Sequence, residues 1–249
     1  MFRSLKFILC LNIAVIILSL AASGCGMLSP AARKPDVGPA GKPAESLPNP
    51  PIIERFWSPP GELYDLEAIA GVVFEGVNKL DWGQAEAGLN NLNSVWQQVK
   101  PVIGEKKGVK DADEALQKLT QSISDRKADM SYENLNKFMG SIGDIGKSYK
   151  LSPLSDIIAV GNSVRSASYY ATDKDWSKAA AKVKELEGTW EQAKPSMEKV
   201  GILGEITKTH ATINQMKDAV NGENKGAFEE QAANLNSSMG RIREFYRGK

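Results

Sequence analysis

The chain has 249 residues, 42% of them apolar and 24% charged, which is enough material to bury a sizeable core in one large domain or two small ones. Basic and acidic side chains nearly balance at 31 against 30, which excludes the basic footprint expected of a nucleic-acid binder or of a protein held electrostatically on anionic lipid. Two cysteines, Cys10 and Cys25, and one histidine, His210, exclude thiolate or imidazole metal clusters and most nucleophile–base pairs.

Arg3 and Lys6 precede an apolar run over residues 7–22, interrupted by Cys10, Asn12 and Ser19, and this pattern predicts a secretory signal. The run ends in Ala22-Ser23-Gly24-Cys25, small residues directly before a cysteine. This segment resembles the lipobox of bacterial lipoproteins, here with Ala22 three positions before the cysteine. The resemblance implies transfer of diacylglycerol to the Cys25 thiol, cleavage after Gly24, and often acylation of the new amino group, for example with palmitate. An ordinary cleaved signal with an incidental Cys25, or an uncleaved anchor, are the alternatives. On the lipoprotein reading residues 1–24 are signal peptide and the mature chain sits on the extracytoplasmic face of the cell membrane. An outer membrane is open to it if the organism has one, because Gly26 stands where the usual inner-membrane retention signal has Asp; the sequence does not decide which membrane holds the anchor. The remainder carries 29 basic and 30 acidic side chains and a single cysteine, so no intrachain disulfide forms. Each buried acyl CH₂ contributes ~0.8 kcal/mol, so two or three chains anchor such a neutral body without a basic patch.

Residues 25–61 form the tether. Nine of the twelve prolines lie between 26 and 61, and the composition there predicts an extended, disordered linker. Ile52, Ile53, Phe56 and Trp57 near its end are spaced so that all four could share one side of a short helical turn. They either pack on the folded part or form an exposed docking patch.

From residue 62 onward the apolar positions alternate three and four apart, giving eight helical seams in two sets of four. The first helices read Leu63, Leu66, Ala70, Val73, Val77 and Leu154, Ile157, Gly161, Val164, Ser168. The second read Trp82, Ala85, Leu89, Leu92, Trp96, Val99 and Trp176, Ala179, Val183, Leu186, Trp190, Ala193. The third read Val109, Ala112, Leu116, Leu119, Ile123 and Ile206, Thr209, Ile213, Met216, Val220. The fourth read Leu135, Phe138, Ile142, Ile145, Tyr149 and Ala232, Leu235, Met239, Ile242, Tyr246. The predicted fold is all-α: two tandem repeats of an up-down four-helix bundle, residues 62–150 and 151–249, behind the tether.

Local chemistry places the boundaries. Asp81 and Asp175, 94 residues apart, are N-caps, the first with Gln84 in capping-box position. Pro101 and Pro195 are expected to stop both second helices near Lys100 and Lys194. Ser152-Pro153 is expected to cap and open the fifth helix. The two tryptophans of each copy lie two heptads apart on one face and read as core, with an aromatic ligand cleft as the sharper alternative. Their Asp-Trp-x2-Ala and Trp-x3-Lys-Pro pattern resembles small bacterial membrane-anchored helical domains of unknown function, a resemblance that carries no catalytic residue across.

Other motifs give little chemistry. Residues 140–148 graze the phosphate-loop pattern, but position 141 is Ser and no strand precedes it. Gly140, Gly143 and Gly146, each costing ~1 kcal/mol in a helix, are instead expected to admit a neighbouring helix, one from the second bundle being a candidate; Gly240 matches Gly143. His210 flanks its seam as a hydrogen-bonded boundary residue. The Glu-x-x-His signature of di-iron bundles is missing from the sequence, and Lys178 and Lys184 occupy essential positions of a calcium loop starting at Asp173. The sequence therefore predicts a non-enzymatic envelope lipoprotein without cofactor or resident metal, binding or scaffolding an envelope protein through its helical surfaces. A small-ligand or metal site in a cleft between the bundles is the alternative, and an envelope enzyme with a carboxylate pair assembled by folding is a third. Phe56, Trp57, Gly140, Gly143 and Gly146 are the candidate interaction residues, and the junction between the copies is the first place to look.

Overall fold

The seams fold as eight α-helices: α1 (Gly61–Asn78), α2 (Trp82–Ile103), α3 (Val109–Ser124), α4 (Ala128–Gly146), α5 (Leu154–Thr172), α6 (Trp176–Met197), α7 (Leu203–Asn221) and α8 (Lys225–Tyr246), with one 3₁₀ turn, Val200–Ile202, before α7. This computed structural model describes residues 58–248; Cys25, residues 25–57 of the tether and with them the Ile52, Ile53, Phe56 and Trp57 cluster lie outside the described residues, and Gly61, the last residue assigned to the tether, opens α1. The fold is all-α and divides into two quartets, α1–α4 and α5–α8. Consecutive helices pair as hairpins, and each quartet closes by packing its fourth helix on its first.

The seams are the core. Every seam position is buried except Trp82, Ser168, Trp176 and Tyr246, which are half-buried. That corrects the reading of the tryptophans. Trp96 and Trp190 are wholly enclosed, while Trp82 and Trp176, at the first residue of their helices, only edge the core.

A second buried stripe decides how the quartets meet. On α1 Tyr64 and Glu67, on α4 Tyr132 and Met139, and on α5 Ile158 and Arg165 are buried although none lies on a seam. The quartets pack side by side, α5 lying against both α4 and α1. Tyr132 stacks on Tyr169 with centroids 4.2 Å apart and donates to Ser166 Oγ at 2.8 Å, and Tyr169 donates to Asp129. Tyr64 and Ser152 hydroxyls bond at 2.7 Å, and Asn78 Nδ2 donates to Thr172 Oγ1 at 2.9 Å.

The expected caps at Asp81 and Asp175 accept the N–H of Gln84 at 3.0 Å and of Lys178 at 3.1 Å. The capping box is not completed: Gln84 Nε2 turns to Val72 O, and the Asp81 N–H bonds Gly76 O at 2.8 Å. Ser152 acts just outside the helix, its Oγ accepting from Leu154 N at 3.1 Å, with Pro153 at the cap position. Pro101 and Pro195 do not stop their helices, which run on to Ile103 and Met197. Each proline removes one backbone bond, but Ile103 and Met197 reach the core, and their burial holds the extra turn helical.

All four hairpins turn the same way. Leu80, Arg126, Lys174 and Glu223 each have φ between 50° and 59°, and the N–H of the next residue reaches back to the helix in a Schellman closure. A left-handed L-residue costs roughly 1–2 kcal/mol, and the Leu80 side chain is 62% exposed. Leu80→Gly should therefore stabilise the fold by about 1 kcal/mol, after the extra freedom glycine gives the unfolded chain. A rise in urea midpoint at unchanged slope is the expected reading.

The small residues of α4 divide. Gly146 does admit the second bundle, because a Cβ there would meet Ser155 N at 3.0 Å; Gly143 faces Ile158 with ordinary contact room at 3.6 Å. Gly140 is exposed with nothing within 4 Å, and Gly240 meets only the Arg243 guanidinium at 3.7 Å, so neither is a packing site. Their helix penalty buys no contact among the described residues.

A candidate ligand groove between the quartets

Helices α1 and α8 run on either side of α5 and barely touch, which leaves a groove of about 600 Å³ floored by α5. Its walls come from both quartets: Ala68, Gly71 and Val72 of α1 face Phe228, Ala233 and Met239 of α8. Small side chains keep it open. Just past the end of α8, Arg247 pairs with Asp65 of α1: Nη2 donates to Oδ2 at 2.7 Å and Nε lies 2.7 Å from Oδ1. Val72, 44% exposed, leaves an apolar rim.

Beneath the groove lies a buried ion pair. Arg165 Nη1 donates to Glu67 Oε1 at 2.8 Å and Nη2 to Oε2 at 3.1 Å, with the two side chains 6% and 7% exposed. Nη2 also donates to Asn162 Oδ1 at 2.7 Å, while Nε finds no partner among the described residues. The carboxylate fits only because residue 161 is glycine; a Cβ there would lie 1.9 Å from Glu67 Oε1. In the first copy the corresponding seam residue is Ala70.

The groove's other charges are mostly answered in place. Lys79 Nζ meets Glu75 Oε1 at 2.6 Å, lowering the Glu75 carboxyl from its usual range by that hydrogen bond, and Glu75 in turn raises Lys79. Lys225 donates to Thr172 O at 3.1 Å and lies 3.7 Å from Glu229. Arg243, half-exposed on the wall, makes no ion pair among the described residues. Every carboxylate lining the groove thus has a cation within 4 Å. Among the described residues no three His, Cys, Asp or Glu converge as metal ligands, and no helix is long and apolar enough to cross a membrane.

The sequence expectations land unevenly. The junction between copies does hold the cleft, but Gly143 and Gly146 lie on the far side of α5 from it and Gly140 faces solvent. Glu67, Gly161, Arg165 and Arg243 were not singled out. The readable signal was loss of repetition: in seam register Glu67 matches Ile158 and Arg165 matches Phe74.

A second asymmetry concerns the enclosed tryptophans. Trp96 Nε1 donates to Asp113 Oδ1 at 2.8 Å, and Lys100 Nζ holds the other oxygen at 2.6 Å. In the second copy seam register puts His210 where Asp113 stands. His210 turns outward to Glu191 at 3.2 Å, and the buried Trp190 Nε1 has no partner among the described residues. His210→Asp should supply one, with Lys194 in the place of Lys100, and raise stability by about 1 kcal/mol. An unchanged or lower midpoint in chemical denaturation would contradict this.

Comparison with protein-family models, with curated proteins and with solved structures found no match.

Proposed function

We propose that this is a lipid-anchored, non-enzymatic binding protein of the cell envelope whose binding site is the groove between its two helical quartets. The observation that carries the reading is the groove itself. At about 600 Å³ it falls within the size range of small-molecule sites, and it lies between repeats, with walls from both. Carboxylates already paired with cations along the groove favour holding over turnover. Anchoring through Cys25 rests on the signal-like segment at residues 1–24 and fits a body with balanced charge.

Metabolic labelling with an alkynyl palmitate in the native organism tests the anchor. Wild-type protein should carry the label and partition with membranes, and Cys25→Ser should lose both; unlabelled wild type overturns the anchoring. The binding role is tested separately by filling the groove. Ala233 is exposed on its wall, so Ala233→Trp should leave folding intact and abolish binding.

A further inference from the structure

We infer that the groove takes an amphiphile with a single apolar chain and one anionic head group, the head resting on Arg243. This rests on the groove being the binding site, as proposed above, and specifies what enters it. The shape is linear: α1 lines it from Glu67 to Lys79, roughly 18 Å at the helical rise of 1.5 Å per residue. The site offers apolar surface from Val72 on the rim and Ala68, Ala232 and Ala233 on the walls, interleaved with the polar side chains of Asn78, Ser168, Thr172 and Asn236. Such a surface stabilises a ligand by removing apolar area from water, and a chain fits a trough better than a compact ring system.

The charges decide the head group. Glu67 is held by Arg165, Glu75 by Lys79 and Glu229 by Lys225, so the groove's carboxylates have cations already beside them. Arg243 is the groove cation with no carboxylate beside it among the described residues. A guanidinium on an apolar wall pairs a carboxylate or phosphate through two parallel N–H bonds, and it does so more strongly there than in open water. A neutral chain leaves it unanswered, and a cationic head is repelled.

The test is photocrosslinking of the full-length protein in its own membranes, with palmitic acid carrying a mid-chain diazirine as probe and the matching alcohol as control. The acid should label α1 and α8 peptides, and Ala233→Trp should remove that label. Arg243→Gln should cut labelling by the acid about tenfold, the loss of one charge-assisted contact, and leave the alcohol's weaker labelling unchanged. Arg243→Lys should keep most of it. Equal labelling by acid and alcohol, indifferent to Arg243→Gln, overturns the anionic head while the groove remains a binding site. No labelling in the groove by either probe overturns both readings. Labelling that emerges only after Ile52, Ile53, Phe56 and Trp57 are changed to Ser makes the chain's own segment the occupant, and overturns the amphiphile.

Discussion

Glu67→Ala should destabilise the protein by about 3–5 kcal/mol, because it strands Arg165 as an uncompensated charge that is 6% exposed. Arg165→Met should cost a similar amount by stranding Glu67. The pair itself is a different matter: Glu67→Leu with Arg165→Met, which restores an apolar contact, should lose much less than either single change and equal or exceed wild type in the best-packed case. Chemical denaturation of wild type, Glu67→Leu, Arg165→Met and the double variant closes the cycle and gives the coupling directly, and additive single effects would contradict a shared buried pair. Gly161→Ala belongs with this set. Its methyl group would lie 1.9 Å from Glu67 Oε1, so the carboxylate must shift off its two-bond seat on Arg165, and the loss should approach that of Glu67→Ala.

Removing an enclosed tryptophan should have the second large effect. Trp96→Ala and Trp190→Ala each empty a fully buried site and should cost about 3–5 kcal/mol. The two copies then separate under a milder change. Trp96→Phe loses the bond to Asp113 and leaves an acceptor half-served, whereas Trp190→Phe removes an indole N–H that has no partner among the described residues. Trp96→Phe should therefore be the more destabilising by about 1 kcal/mol. Half-buried Trp82 and Trp176 should tolerate alanine far better, and equal losses at all four positions would contradict the distinction between edge and centre.

These residues also mark how far the sequence could be read. The seams, the aspartate caps and the two sets of four helices follow from periodicity and local chemistry, which act along the chain. Trp82 was misplaced because sharing a face with Trp96 does not give depth; the first residue of a helix meets the end of the bundle. Pro101 carries a local penalty against helix that the burial of Ile103, two residues later, outweighs. The turns at Leu80 and Glu223 carry no glycine at the left-handed position, so the usual mark of a Schellman closure was missing.

The groove was legible only as a place. A repeat implies a junction, and the cleft is there. Its chemistry depends on Glu67 and Arg165, 98 residues apart, and on what lies between α1 and α8, neither of which any single helix pattern encodes. Both residues depart from the repeat, and a charge where the other copy has Ile158 or Phe74 is a sign of a contact the copies do not share. Gly161 in the place of Ala70 is a third such departure, and it is the one that makes room for the carboxylate.

The most direct test of a ligand-holding groove is to extract what the protein carries from its own membranes. Wild-type and Ala233→Trp proteins, purified in parallel, are denatured and their organic extracts compared by mass spectrometry. The groove account predicts an acidic amphiphile near one equivalent per wild-type chain and its loss from Ala233→Trp; indistinguishable extracts from two folded proteins would contradict it.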